Sequence, residues 1–409
     1  MQMAENEFII NTPRREDIQG IAGAITEFTE AYKEAEKAKN QDLHFTKSWE
    51  GFKKLCQTGA VSRFFAVGDQ LECQYNGKDL VWDIVHIGDK EDGSKYVIIQ
   101  THNCLDDTMP FDEREAIFKA PAELPAGTYH FKMPLTGVTD TNWTDPKKSG
   151  WSKTWQFTTT KAVPKGGIIT FESTAEYDVD IATRKIVTRA APESDANIET
   201  LSLTEGTAGT DLATLGTVNH AQRVCYGYNR WRDSDIRQWL NSDAEAGKWW
   251  SQRNDFDTRI TTMYGAAGFM HGLDEDFRAV ITKSKITTNT NKITEDGSND
   301  TTYDYFFLPT MKNLNAGDQD SANPEDTVIW DYYQKFRQDG KTGENSERDP
   351  NRLKGKSTGG YLWWWERSPN AGNAYYVRYV SPDAGGEGVA NWGHNAYHWR
   401  GVAPACRIN

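Results

Sequence analysis

A change in hydrophobic period near residue 64 constrains the fold of this chain more than any other feature of its sequence. From there apolar and polar residues alternate, as in FFAVGDQLECQYNGKDLVWDIVHIGD, which is the pattern of half-buried β-strands. Asn76 and Gly77 separate two such runs, and this dipeptide favours a tight hairpin turn. Short runs broken by Pro and Gly follow. We therefore predict an irregular β-rich domain over residues 46–172.

The N-terminal segment, residues 1–45, has a helical pattern instead. Thr12 is a candidate N-cap, and Pro13 suits the first helical position. Apolar residues then recur at gaps of three and four, at Ile18, Ile21, Ile25, Phe28, Tyr32 and Ala35. This spacing is compatible with a coiled-coil seam and equally with one amphipathic helix that lies on its own domain. We expect the helix to serve oligomerisation or attachment.

Residues 173–409 contain signals for short helices, a hairpin and long loops. The segment NRWRDSDIRQWLNS predicts a helix capped by Asp233 or Ser234, and GLDEDFRAV and PEDTVIWDYYQKFRQDG predict two more. Asp296 and Gly297 mark the turn of a second hairpin. Taken with the β-rich region, these elements predict the α+β fold class.

Charge and composition exclude several classes of partner. The formal net charge is -13, and phosphate binding needs a basic field, so we expect no nucleic acid partner. No apolar run is long enough to predict membrane insertion. The N-terminal sequence lacks the pattern of a signal peptide. The expected location is the cytoplasm, unless the protein leaves in an assembled particle.

No known catalytic or metal motif is present in the sequence. The patterns GxSxG, GxGxxG, HExxH and the P-loop are absent, so we predict no catalysis and no cofactor. His394 and His398 are four residues apart, but they follow Gly393 and lack a nearby carboxylate, which argues against a metal site. The five cysteines form no CxxC pair and are expected to be reduced and buried. Carboxylates near Pro110, at Asp106, Asp107, Asp112 and Glu113, are expected to be solvated.

The C-terminal stretch NAYYVRYVSPDAGGEGVANWGHNAYHWRGVAPACRIN is rich in Tyr, Trp, His and Asn, spaced by Gly and Ala. These side chains combine large rigid contact area with adaptable hydrogen bonding, which is typical of a binding face. We expect residues 397–400 to face solvent and to bind a partner. Trp363 and Trp364 open this region and are expected to be buried in its core.

The motifs NRWRDSDIRQWLNS and YLWWWERSPNAGNAYYVRYV, with the closing GVAPACRI, resemble a known group. They are similar to the phage and gut-bacterial variable proteins of diversity-generating retroelements, such as phage tropism determinants. The resemblance covers most of the chain from Asn229 onward. It implies a C-type-lectin-like domain of the formylglycine-generating-enzyme type over residues 173–409.

In that group the residues between the framework positions face a partner and are changed by adenine-directed mutagenesis. The resemblance therefore implies a variable ligand-binding face over residues 366–400. Its predicted ligand-binding residues are Glu366, Tyr375, Tyr376, Arg378, Tyr379, Glu387, Asn391, Trp392, His394, Asn395, Tyr397, His398, Trp399 and Arg400.

The function implied is that of a phage or prophage tail-associated receptor-binding protein that displays a diversified surface. Its partner would be a host cell-surface protein or glycan, its location the virion, and its assembly a homotrimer. One alternative is a bacterial surface or cytoplasmic ligand-binding protein diversified by a retroelement. Two others are a calcium-dependent sugar lectin and an enzyme of the formylglycine-generating type.

Overall fold

The computed structural model describes most of the chain from Trp49 to the C-terminus. The described residues are 29, 49–132, 153–172, 185–194, 196, 199–212, 221–260, 263–316, 328–334, 349–382 and 388–409. The predicted N-terminal helix lies outside these residues, except that Thr29 is helical and exposed. Its cap at Thr12 and its apolar seam also lie outside them.

The fold is β-rich, with 35% of residues in strands and 15% in helices. The described α-helices are α1 (Trp49–Gln57), α2 (Ala221–Tyr226), α3 (Asp235–Leu240), α4 (Glu275–Val280) and α5 (Asp331–Gln334). The predicted class, α+β with a C-type-lectin-like C-terminal domain, is therefore wrong. The three helices predicted within residues 173–409 are present as α3, α4 and α5, but each is only four to six residues long. Among the described residues, no helix has the length and apolarity needed to cross a membrane.

Eighteen strands are described and form five sheets. They are β1 (Gln70–Tyr75), β2 (Lys78–Asp89), β3 (Lys95–Thr101), β4 (Phe118–Lys119), β5 (Gly127–Lys132), β6 (Thr154–Thr159), β7 (Ile168–Phe171), β8 (Lys185–Arg189), β9 (Glu199–Ser202), β10 (Thr204–Glu205), β11 (Thr210–Asp211), β12 (Ser284–Asn289), β13 (Asn299–Asp304), β14 (Phe306–Phe307), β15 (Trp364–Pro369), β16 (Tyr376–Ser381), β17 (Val389–Asn395) and β18 (Ala405–Ile408).

The largest sheet has the strand order β1-β2-β3-β18-β14 and is antiparallel throughout. The predicted hairpin between β1 and β2 is confirmed. Asn76 and Gly77 have φ values of 52° and 74°, as a type I′ turn requires at both positions. The last strand, β18, pairs Cys406 with Ile99 of β3 on one side and with Phe306 of β14 on the other. This sheet therefore joins strands from both sides of the predicted boundary at residue 172.

A second core lies between the sheets β10-β6-β5-β11 and β4-β7-β8-β9. Phe131, Phe157 and Ile169 are among its buried residues. Tyr375 and Tyr397, from the far end of the chain, are buried in the same core. The C-terminal region therefore contributes to both cores of the molecule.

The segment NRWRDSDIRQWLNS packs against the hairpin β12–β13, whose turn contains Gly297 at φ 73° as predicted. Asp304 at the end of β13 is fully buried and accepts hydrogen bonds from Trp231 Nε1 at 3.0 Å and from Arg237 Nε at 2.8 Å. Ser234 caps α3, because its side chain accepts from Arg237 N at 3.4 Å. One buried carboxylate thus ties the motif to the hairpin.

Replacing Asp304 with Asn should lower the free energy of unfolding by about 3 kcal/mol, because the Arg237 guanidinium loses its buried counter-charge. Urea unfolding followed by Trp fluorescence would measure the loss. The matched control is Glu50→Gln, which removes an exposed pair with Lys54 and should cost no more than about 0.5 kcal/mol. Equal costs for the two variants would contradict the assigned role of Asp304.

Candidate functional site

The antiparallel sheet β15-β16-β17 positions the side chains of the candidate site. Tyr379 of β16 lies opposite Trp365 of β15, and Val377 lies opposite His394 of β17. Residues directly opposite in an antiparallel pair point to the same face, and positions two apart share a face. Tyr379 and His394 therefore lie on one face, with ring centroids 6.1 Å apart.

The turn that follows β17 is held by backbone hydrogen bonds to three distant segments. Ala396 donates to Tyr375 O at 2.9 Å and accepts from Phe111 N at 2.8 Å. Tyr397 donates to Tyr226 O at 3.2 Å. Because these bonds fix its backbone, the turn presents its side chains in one arrangement.

Seven side chains form a continuous row of rings and guanidinium groups, which we call the aromatic row. In order they are Trp363, Arg400, Tyr379, His394, His398, Tyr397 and Arg114. At one end, Arg400 Cζ lies 6.0 Å from the ring centre of Trp363 and 5.3 Å from that of Tyr379. These distances are within reach of cation–π attraction.

The other end of the aromatic row is more tightly packed. The ring centroids of His394 and His398 are 4.0 Å apart, and those of His398 and Tyr397 are 4.7 Å apart. Arg114 Cζ lies 3.9 Å from the ring centre of Tyr397. Arg114 also donates from Nη1 to Glu172 O at 2.7 Å, which anchors this end in the protein interior.

The two ends of the aromatic row differ in exposure. Arg114 and Tyr397 are buried, whereas Trp363 is 38% exposed. Trp399 and Tyr361, adjacent along the backbone to the row, are 42% and 57% exposed. We call Tyr361, Trp363, Trp399 and Arg400 the candidate binding surface. Its members are three exposed aromatic rings and one partly exposed cation; the ring centre of Trp363 lies 6.0 Å from Arg400 Cζ, and Tyr361 and Trp399 lie close to these two along the backbone.

The histidine nearest to this surface is uncharged. His394 Nδ1 accepts a hydrogen bond from Asn395 N at 2.9 Å, so the ring proton lies on Nε2. Burial lowers the pKa of His394 to about 3, and the neighbouring His398 and Arg400 add to the effect. At neutral pH, His394 is therefore a neutral ring and Arg400 supplies the positive charge.

Arg400 has few partners for its guanidinium group. Its backbone pairs with Met109, and Nη1 donates to Trp399 O at 3.0 Å. Nε is buried without a hydrogen-bond partner, and no described carboxylate forms an ion pair with Arg400. Only the terminal nitrogens of the guanidinium can therefore meet an acceptor from outside the chain.

Residues 200–409 match a family described as a domain of unknown function, DUF6273. The chain belongs to this family. No curated protein and no solved structure matches the chain. The matched DUF6273 range contains the whole candidate binding surface and all of the aromatic row except Arg114.

The DUF6273 region buries most of the predicted ligand-binding residues. The expectation of exposure is wrong for Glu366, Tyr375, Tyr379, Asn395, Tyr397 and His398, which are buried. Residues of intermediate exposure are Tyr376, Arg378, His394 and Arg400, and Trp399 is exposed. Glu387 lies outside the described residues, as do the side chains of Asn391 and Trp392. The reason for burial is packing, since Tyr375 stacks on Tyr226 at 4.6 Å and Tyr397 enters the second core.

Sequence reasoning also missed parts of the candidate binding surface. Trp364 is fully buried as expected, but Trp363 is not, because successive residues of an extended segment point in opposite directions. Tyr361 and Trp363 are two residues apart, with Leu362 between them. In an extended segment such residues point to the same side, and this spacing could have identified both rings as exposed. Arg114 carried no local signal, since it reaches Tyr397 only through the tertiary fold.

A cluster of buried carboxylates lies next to the turn after β17. Asp112 is buried, so the prediction of a solvated loop is wrong for this residue, whereas Asp106 and Asp107 are exposed. Asp112 accepts from the backbone N of Asp235 at 3.1 Å, and its own N donates to Ala396 O. Asp235 in turn accepts from Glu113 N at 3.1 Å. These carboxylates connect the turn to the start of α3.

Burial governs the charge of this cluster. Burial raises the pKa of Glu115 to about 7 and the pKa of Asp257 to about 6. The pKa of Asp112 and the pKa of Asp235 also rise, because both are buried and close to other carboxylates. Within the described part of the chain, no group of three or more His, Cys, Asp or Glu side chains could hold a metal ion. Asp112 and Asp235 accept backbone hydrogen bonds from each other's segments.

Truncating the buried end of the turn should cost much more stability than truncating its exposed end. Tyr397→Ala should cost about 3–5 kcal/mol, because it opens a cavity in the second core and removes the ring that Arg114 covers. Trp399→Ala should cost about 0.5 kcal/mol, because its ring is already in contact with water. Chemical denaturation of both variants would measure this. A Trp399→Ala variant as unstable as Tyr397→Ala would contradict the assigned exposure.

Replacing Glu115 with Gln should change how stability depends on pH. A carboxyl whose pKa is raised from 4.5 to about 7 binds its proton more tightly in the folded state, so its contribution is lost as pH rises through this range. The stability of the wild type relative to Glu115→Gln should therefore fall by on the order of 3 kcal/mol between pH 4.5 and pH 7.5. Urea unfolding at several pH values would test this, with Glu50→Gln as the control. A constant difference would refute the assignment.

Proposed function

We propose that the protein binds a target on a cell surface through the candidate binding surface, as the receptor-binding protein of a phage or prophage tail does. The observation that carries the proposal is the presentation of three exposed aromatic rings and Arg400 on a hydrogen-bonded β framework. Trp, Tyr and Arg are the residues that dominate interface energetics. Isolated exposed rings are common, but an exposed ring within 6.0 Å of a cation, with two further exposed rings on the flanking segments, is typical of a recognition surface.

The framework beneath the surface is fixed before any ligand arrives. Gly401 donates to Trp363 O at 2.7 Å and accepts from Trp365 N at 3.0 Å, while β16 pairs with the other edge of β15. Gly401 is required here, because a Cβ at this position would lie 2.7 Å from Cys104 Sγ. A rigid framework lowers the entropy lost on binding.

The proposal includes diversification of the C-terminal residues by a retroelement. The packing described above limits which of these residues can vary. Buried residues such as Glu366 and Tyr375 cannot be exchanged freely, because most changes in a packed core destabilise the fold. We propose that tolerated variation concentrates at residues with access to solvent. Among the described members of the predicted set these are Tyr376, Arg378, His394, Trp399 and Arg400.

Binding is favoured over catalysis by the state of the reactive groups. An enzyme of the formylglycine-generating type would need a reactive cysteine late in the chain, and Cys406 is the candidate. Cys406 is fully buried, and burial raises the pKa of its thiol well above the ordinary value. The buried carboxylates already accept backbone hydrogen bonds. In this proposal the protein is carried on a virion, and a homotrimer formed through the N-terminal residues would raise the strength of attachment by multivalency.

The test is attachment of the labelled full-length chain to a panel of gut bacteria, compared between variants. On a species that the wild type binds, Trp399→Ala and Trp363→Ala should each weaken binding by about tenfold or more, since aromatic anchors typically contribute over 1 kcal/mol. The control is Tyr303→Ala, which removes a ring that is 58% exposed on β13, and it should leave binding unchanged. Melting temperatures would confirm that all variants are folded.

Two results would count against the proposed function. One is the absence of attachment to every species in the panel. The other is an equal loss for Tyr303→Ala and Trp399→Ala, since binding would then not depend on the candidate binding surface.

A further inference from the structure

We infer that the ligand of the candidate binding surface is a saccharide that carries a carboxylate. This inference rests on the proposed function and specifies the chemistry of its target. It draws on three features of the surface: the donors of Arg400, the exposed rings beside it, and the pairing of the surrounding backbone.

The first feature is the Arg400 guanidinium. Its Nε is buried without a hydrogen-bond partner, Nη1 donates to Trp399 O, and none of the described carboxylates lies within ion-pair distance of the guanidinium. Other arginines of the family region are paired, for example Arg230 with Asp300 at 2.6 Å and Arg237 with Asp304 at 2.8 Å. Arginine binds carboxylates in a two-pronged geometry that is stronger than a neutral hydrogen bond. The two terminal nitrogens of Arg400, which form no ion pair with a described carboxylate, therefore suit a carboxylate from outside the chain.

The second feature is the exposed rings on the backbone segments that flank this cation. Trp363 and Trp399 are both about two-fifths exposed, with values of 38% and 42%, and Tyr361 is 57% exposed. Rings in this state offer a flat apolar face together with a wet edge. A sugar ring has matching chemistry, because one face presents C–H groups and its rim presents hydroxyls. An acidic sugar adds the carboxylate that Arg400 can bind.

The third feature argues against a peptide as the ligand. Extended peptides commonly bind by adding a strand to a free sheet edge. Here β15 is paired with β16 on one side, and Gly401 occupies the other side at Trp363 and Trp365. Arg400 is itself paired with Met109 through two backbone hydrogen bonds. With these backbone groups occupied, recognition at this point falls to side chains.

The net charge of the chain sharpens the inference. At -13 the protein as a whole repels polyanions, so capture of an acidic glycan requires a local cation. His394 is neutral at this position, which leaves Arg400 as the charge among the exposed members of the aromatic row. Binding through one cation should weaken as salt is added, because the pair is partly exposed.

The experiment uses the full-length chain and defined oligosaccharides in calorimetric titrations. The acidic probes are hexagalacturonate and sialyllactose, and their neutral counterparts are galactohexaose and lactose, respectively. We expect at least one acidic probe to bind at least about tenfold more tightly than its neutral counterpart, because a hydrogen bond to a charged group is worth that much. A poly-glutamate peptide forms a separate arm.

Variants assign the binding to the proposed groups. Arg400→Gln should weaken binding of the acidic probe by about tenfold or more while leaving the weak neutral binding unchanged. Trp399→Ala should weaken both. Arg63→Gln, which removes an exposed charge near α1, and Tyr303→Ala are the matched controls and should change neither. Should Arg400→Gln fail to fold, Arg400→Lys keeps the charge but loses the planar fork, and a clear loss of affinity is expected for it as well.

The inference is overturned if acidic and neutral probes bind equally, if no saccharide binds, or if only poly-glutamate binds in an Arg400-dependent manner. None of these results contradicts the proposed function if the protein still attaches to cells in a manner that depends on Trp399 and Trp363. Loss of cell attachment itself would instead refute the proposed function. The two failures are therefore distinguishable.

Discussion

The pairing of β18 between β3 and β14 is the interaction on which the rest of the structure depends. Four residues near the C-terminus complete a sheet whose other strands come from residues 70–101 and from residues 306–307. The chain leading into β18 is held as well, since Gln100 Nε2 donates to Ala403 O at 3.0 Å and Leu105 N donates to Val402 O at 2.9 Å. These bonds fix the position of Gly401 and, through it, the relation of Arg400 to Trp363.

The aromatic row extends this constraint from the sheet to the surface. One end is covered by Arg114 in the interior, and the other ends at Trp363 in solvent. A binding surface built on such a row gains rigidity from residues that no ligand touches, because packed rings in fixed rotamers cannot rearrange cheaply. Removing Tyr397 would disturb the base of the row, whereas removing Trp399 would change the contact area alone. Stability and recognition are thus carried by different residues of one short turn.

Local signals in the sequence identified the elements but not their packing. Asn76-Gly77 specified its hairpin because the turn conformation depends on these two residues alone. Ser234 likewise marked the start of α3, because a helix cap depends on the capping side chain and the first turn of the helix. The burial of Tyr397 could not be read locally, since it depends on the second core formed by strands more than 180 positions earlier in the chain. The fold class failed for a related reason: helical patterns predict where a helix starts more reliably than how long it is.

Because stability and recognition depend on different residues, the fold can accept changes at a diversified surface. Proteins have about 5–15 kcal/mol of stability, so repeated exchange at buried positions would soon unfold the chain. Exposed rings such as Trp399 can change at little cost to the fold, provided that Gly401 and the backbone bonds beside it are kept. The neighbouring carboxylates impose a second limit. Asp112 is hydrogen-bonded both to Ala396 in the turn and to the start of α3. A change in the charge of Asp112 would therefore alter the candidate binding surface by shifting the backbone of the turn, without any contact between Asp112 and the ligand.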